Sequence, residues 1–479
     1  MSSAKKISWH PTSWTSFNTG TSPEWPDVKS LNKAMDFITS RPPLVVCGEV
    51  DILLKRLAEV QKGRAFILQG GDCTETFKSG NRNEIKNSLS IFLQMAAIIA
   101  FSCGKPILKI ASIAGQYSNP LDNGILPQID SQMQNYQEDI TNESKCGNVT
   151  GILDPKRMID VYRNSATTLA FLRSFCTGTL ASFAKAHAWN LDFVKERTLG
   201  RKYKKIAEKI KHALDFFEAF GMEVAFQPKF QVTEIFTSHE ARVLEYEQSL
   251  LRKSCGEAWF NTSGHFLWLE PENLLPQSAH VELLRGISNP IGINIGPECS
   301  PTQLINCLKI LNPEKHAGRL TLILRLGNKY IAKKLPSLLK RVQESGIPVI
   351  WLCDPMHGNI EISKEGRKIL KMDNVFKELK KFFAIHAEKG TYAGGIHFEM
   401  TPENITECFD IPKKIRPINL REKSADGPAP RLNAFQCLKI AFLLVELINR
   451  SKKKADISTN NAAVGMGCKN KICIFKTDN

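Results

Sequence analysis

Short apolar runs rich in β-branched residues alternate along this chain with longer stretches in which apolar positions recur three and four residues apart. The runs cover residues 65–68, 107–110, 222–226, 265–268, 291–295, 320–324, 349–352 and 395–398. Runs of this length suit buried parallel strands, and the helical stretches between them supply the crossovers that parallel strands need. Eight such units predict an α/β fold, a (β/α)8 TIM barrel spanning 64–450. Between the second and third runs, helical periodicity continues through Met158, Val161, Tyr162, Leu169, Leu172 and Phe175. That stretch, about 155–220, exceeds one crossover helix and reads as a helical insertion. Residues 1–63 read as an N-terminal extension, 433–448 as a closing helix and 451–479 as a basic, polar C-terminal tail.

Composition narrows the class without deciding the function. The 479 residues are 42% apolar and 23% charged, values that permit a large core and argue against disorder. The net charge is +16, yet its densest cluster is Arg450 with Lys452, Lys453 and Lys454, which reads as a solvated tail. No nucleic-acid partner is expected from so dispersed a charge. Thirteen cysteines without a CxxC pair fit a reducing compartment. The apolar stretch 440–448 is interrupted by Glu446 and is far short of a membrane span, so a cytoplasmic protein without membrane attachment is expected.

In a barrel of this kind, chemistry belongs at the C-terminal strand ends. The first run leads into Gln69-Gly70-Gly71-Asp72-Cys73-Thr74-Glu75, the seventh into Cys353-Asp354-Pro355-Met356-His357-Gly358-Asn359, and the eighth contains His397, Glu399 and Met400. Strands one, seven and eight become neighbours when the barrel closes. A thiol, an imidazole and a carboxylate brought together there can hold a borderline divalent cation.

The same residues carry a resemblance. His10-Pro11-Thr12-Ser13-Trp14, Arg41-Pro42-Pro43-Leu44-Val45, Gly70-Gly71-Asp72-Cys73 with Glu75, Thr237-Ser238-His239-Glu240, and Gly264-His265-Phe266-Leu267-Trp268 are joined by the seventh- and eighth-strand motifs. Asn404-Ile405-Thr406-Glu407-Cys408 and Pro430-Arg431-Leu432-Asn433 complete the set. In this order and spacing, from about Trp9 to Arg450, the chain resembles the class II (plant-type) 3-deoxy-D-arabino-heptulosonate 7-phosphate (DAHP) synthases. The resemblance implies a homo-oligomeric TIM-barrel enzyme that uses manganese or cobalt to condense phosphoenolpyruvate with erythrose 4-phosphate at the entry to the shikimate pathway. It also implies Cys73, His357 and Glu399 as metal ligands and Arg325 as a substrate-binding cation.

The departures from the family pattern fall at functional positions. The fourth metal ligand, an Asp in the family, is Ala429, and positions that carry phosphate-binding cations read Ser112, Asn119, Leu121, Glu272 and Asn294. Each charge-assisted hydrogen bond to a phosphate is worth roughly 1.5–3 kcal/mol, so the set implies weakened phosphate recognition. Lys78, Lys105 and Lys109 are cations near enough in sequence to compensate, while Leu121, Leu274 and Leu275 would make the pocket more apolar. Three functions are expected to compete: the family condensation in altered form, a metal-dependent enzyme of specialised metabolism acting on a less anionic small-molecule substrate, and a catalytically silent partner of an active synthase.

Overall fold

The computed structural model describes residues 8–72, 74–77, 82–118, 139–141, 153–177, scattered positions between 208 and 220, and then 233–363, 368–403, 407–409 and 429–466. Eight parallel strands close a barrel: β1 (Phe66–Gly71), β2 (Ile107–Ser112), β3 (Phe236–Glu240), β4 (Phe266–Leu269), β5 (Ile291–Ile295), β6 (Leu320–Leu324), β7 (Ile350–Cys353) and β8 (Gly395–Glu399). Each strand pairs with the next, and β8 returns to β1 with Gln69 beside His397 and Gly71 beside Glu399. Strands one, eight and seven are therefore consecutive around the wall, as the strand-end argument requires.

The third strand differs from the sequence expectation. Residues 222–226 lie outside the described residues, and the third place in the barrel is taken by Phe236–Glu240. Its inward positions include Ser238, which lies within hydrogen-bond reach of Gln69, so its polarity serves the interior and hides it from a search for apolar runs.

The N-terminal extension is integral to the barrel. Helix α1 (Val28–Thr39) is capped by Asp27, which accepts from the Ser30 amide, and α2 (Cys47–Gln61) follows it. Leu53, Leu57 and Val60 of α2 pack against Ile67, Leu108, Phe236 and Ile350 from inside the barrel, sealing its N-terminal end with apolar surface. Chemistry is thereby confined to the opposite end.

Helix α3 (Arg82–Cys103) is long and apolar enough to cross a membrane by length and composition, but Phe92, Met95 and Ile99 are buried in the main core. Its packing partner is α10 (Ala434–Met466), reached after α4 (Lys156–Cys176), α5 (Leu244–Ser249), α6 (Ala279–Arg285), α7 (Pro301–Leu311), α8 (Gly327–Ser345) and α9 (Met372–Glu388). The closing helix thus runs on to Met466, past the point where the sequence reading begins a polar tail. Lysine and alanine at 452–455 are good helix formers and let it continue. Helix α4 begins the expected insertion; residues 178–207 lie outside the described residues.

Candidate active site

The turn after β7 is built around Asp354, which is fully buried. Its Oδ1 accepts from the Met356 and His357 amides at 3.0 and 3.3 Å, and its Oδ2 accepts from His357 Nδ1 at 2.6 Å. Burial alone would raise this carboxyl; His357 and Arg325 overcome that and hold it well below the usual carboxylate range. Because Nδ1 is committed to Asp354, Nε2 is the nitrogen that His357 turns toward Glu399, 3.8 Å from Oε1. Burial and Arg325 oppose charge on His357, yet the carboxylates of Asp354 and Glu399 leave its pKa raised.

Gly358 lets this turn approach the start of α8. A Cβ there would lie 2.4 Å from the Gly327 nitrogen and 2.6 Å from the Arg325 carbonyl oxygen, so no larger residue fits without moving the turn that presents His357.

Glu399, at the end of β8, is buried, and its Oε2 has no hydrogen-bond partner. An imidazole nitrogen facing a carboxylate with an unspent buried oxygen suits a divalent cation of borderline softness. Among the described residues no group of three or more His, Cys, Asp or Glu side chains is disposed to hold a metal ion; the third expected ligand, Cys73, lies outside them. Ala429 offers only a buried methyl, packed against Ile360. Its segment is pinned by Arg431, which bridges Asp72 at 2.6 Å and Glu407 at 3.1 Å.

Arg325, expected to bind substrate, follows β6 at the mouth and is engaged from two sides. Its Nε donates to Asp354 Oδ2 at 2.9 Å, and its Nη1 donates to Glu270 Oε1 and Oε2 at 3.0 and 2.8 Å. Asn294, in a position where the family pattern has a lysine, donates to Glu270 Oε1 at 2.7 Å. Glu270 escapes sequence reasoning because its partner lies 55 residues away. Of the expected compensating cations, the two described ones, Lys105 and Lys109, do not reach this end. Lys105 donates to the Gly63 carbonyl and Tyr392 hydroxyl near the sealed end, and Lys109 donates to the Ile107 carbonyl; Lys78 lies outside the described residues, as do Asn119 and Leu121. Leu274 is buried in the hydrophobic core, and Leu275, on the loop after β4, is exposed.

Beside the mouth is a cavity of about 120 Å³, with Gly71, Ser112, Leu89, Phe92, Met400 and Arg431 among its walls. Glu75 shapes its edge by accepting from the amides of Ala114, Gly115 and Gln116 at 3.0, 2.9 and 2.8 Å, where Ala114 takes a positive φ of 63°. Burial pushes the Glu75 carboxyl upward against these three donors. Glu75→Ala leaves three amides to find new acceptors and is expected to cost about 3–5 kcal/mol. Urea unfolding checks this; a loss under about 1 kcal/mol would show that water replaces the carboxylate.

The class-II DAHP synthetase family model matches residues 9–445, which include every strand of the barrel and the whole mouth. The chain belongs to the class II DAHP synthetase family. Two relatives agree: the phospho-2-dehydro-3-deoxyheptonate aldolase of Streptomyces coelicolor, 39% identical over 91% of this chain and 96% of its own length, and the AroG aldolase of the same name from Mycolicibacterium smegmatis, 36% identical over 89% and 92%. The crystal structure of a DAHP synthase from Thermotoga maritima aligns at 12% identity with a TM-score of 0.33, over 82% of this chain and 69% of that one, too distant to bear on the site. For this member of the class II family, the sequence reading and the structure agree on bringing His357 and Glu399 together. Arg325 stands at the same mouth, paired with Glu270 and Asp354.

Proposed function

We propose that this chain catalyses a metal-assisted aldol-type condensation of the kind its relatives are named for, with the recognition of phosphorylated substrates altered. The observation that carries the reading is His357, locked through Nδ1 by Asp354 and turned toward the unspent oxygen of Glu399 at the C-terminal end of the barrel. Cys73, His357 and Glu399 would hold the cation, manganese or cobalt by family resemblance. When bound, such a cation supplies Lewis-acid polarisation of an aldehyde oxygen. The protein contributes the orientation of His357, a buried carboxylate at the same point, and an interior sealed at its far end by α2, which keeps bulk water to one side of the reacting atoms.

Altered recognition is supported by Ser112, Glu272 and Asn294, none of which can pair with a phosphate as a cation would. Loss of even two such contacts, at roughly 1.5–3 kcal/mol each, lowers kcat/KM by about a hundredfold or more. The test is condensation of phosphoenolpyruvate with erythrose 4-phosphate in the presence of manganese, assayed beside the Streptomyces coelicolor relative, with metal content measured on the same preparation. Bound metal that is lost in Cys73→Ser and His357→Ala, with turnover at least about a hundredfold below the relative, is the expected outcome. Turnover equal to the relative's would remove the altered-recognition reading, and an unmodified protein that takes up no metal would remove the metal-assisted one.

A further inference from the structure

Arg325 stands where an anionic substrate group would meet the barrel wall, and every acceptor it has is supplied by the chain itself. The two oxygens of Glu270 straddle Nη1, Asp354 takes Nε, and Asn294 holds Glu270 in place through Nδ2. Glu270 and Arg325 side chains are both about nine-tenths buried, at 9% and 11% exposure, so this pairing is not screened like a surface contact. The guanidinium also faces the carboxylate of Glu399, so an incoming phosphate meets three acidic side chains grouped around the one arginine. Asn294 Oδ1, on the side chain that holds Glu270, and Trp268 Nε1, on a ring packed edge-on to His397, are buried without partners, one an acceptor and the other a donor, and both uncharged.

We propose that Glu270 is a specificity-determining residue: its carboxylate occupies Arg325 in place of a substrate anion, so the substrate presents a neutral, hydrogen-bonding group such as a hydroxyl at this point of the mouth. The idea deepens the reading that the mouth is an altered active site, and it rests on that reading. Glu270 acts here as a built-in counter-ion. It keeps a buried cation compensated without a ligand and makes ligand anions compete with a tethered carboxylate at high effective concentration.

The test is calorimetric titration of the full chain with phosphoenolpyruvate and, separately, with inorganic phosphate, using the unmodified protein, Glu270→Ala, Glu270→Gln and the double variant Glu270→Ala with Arg325→Ala. Binding of phosphoenolpyruvate by the unmodified protein should be millimolar or weaker. Glu270→Ala and Glu270→Gln should each bind at least about tenfold more tightly, and the gain should vanish in the double variant. Cooperative thermal unfolding confirms that each variant is folded; should Glu270→Ala fail to fold, Glu270→Gln, which keeps the side-chain shape, decides. Micromolar binding by the unmodified protein, or no gain in a folded Glu270 variant, overturns the proposal. Because the readout is binding rather than turnover, these outcomes are independent of whether the condensation occurs.

Discussion

Asp354→Ala is expected to lower the unfolding free energy by about 3–5 kcal/mol, the cost of leaving a buried charge without its partner. Asp354 is wholly buried and serves Arg325, His357 and two amides of its own turn. Removing it leaves the Arg325 guanidinium with Glu270 alone and frees His357 to rotate. The Asp354→Asn variant keeps the shape but presents neutral acceptor and donor groups, and should lie between the two. Guanidinium chloride unfolding measures the loss. A change under about 1 kcal/mol would mean that Glu270 and Glu399 alone satisfy Arg325 and His357, and that Asp354 does not organise the mouth.

The second large effect concerns Glu378 on α9, beneath the same turn. Its Oε2 accepts from Asn359 Nδ2 at 2.5 Å, while its Oε1 has no partner. Burial first, and then the nearby Asp354 carboxylate, push its carboxyl from the ordinary 4.5 up to about 8, against the lowering effects of Asn359, the Gly327 amide and Lys381. Below pH 4.5 folded and unfolded chains are both protonated at this position, and its contribution to stability is complete. As pH rises toward about 8, the unfolded chain has released the proton and the folded chain retains it, so stability falls by up to about 1.4 kcal/mol per pH unit.

Two buried histidines act with the opposite sign at lower pH. Burial depresses His280 to about 4 and His386 to about 3, so stability gained from them is complete above 6.5. The clearest window for Glu378 is therefore pH 6.5 to 8. Glu378→Gln should flatten the stability profile there and be more stable than the unmodified protein at pH 8. Equal slopes for the two proteins, from denaturant unfolding at several pH values, would place the proton elsewhere.

Seven barrel strands were legible because a strand buried on both faces must be a continuous apolar run, and that is a property of adjacent residues. β3 was not legible by the same rule, since Ser238 and Glu240 serve the polar interior and break the run. The site divides in the same way. His357 and Glu399 could be placed because each follows a recognisable strand, and strand order then fixes that the two ends meet. Arg325 was found but its state was not, because whether a cation is available depends on what lies beside it. Glu270 looked like one residue in a stretch that had lost a cation, and Arg431 like the remnant of a motif. Their roles lie in pairings with Arg325, Asp72 and Glu407 that span up to 359 residues of sequence.

The sequence alone determined the class of this protein: a parallel barrel, its family, and the end at which its chemistry belongs, all carried by local periodicity and by motifs at strand ends. Only the tertiary structure decided the charge state of the mouth. A buried charge must find a counter-charge within a few ångströms, and closure of the barrel brings Glu270, Arg325, Asp354 and Glu399 from four strands into one shared, low-dielectric space. The chain's +16 charge says nothing about that space, in which carboxylates outnumber the one guanidinium they surround.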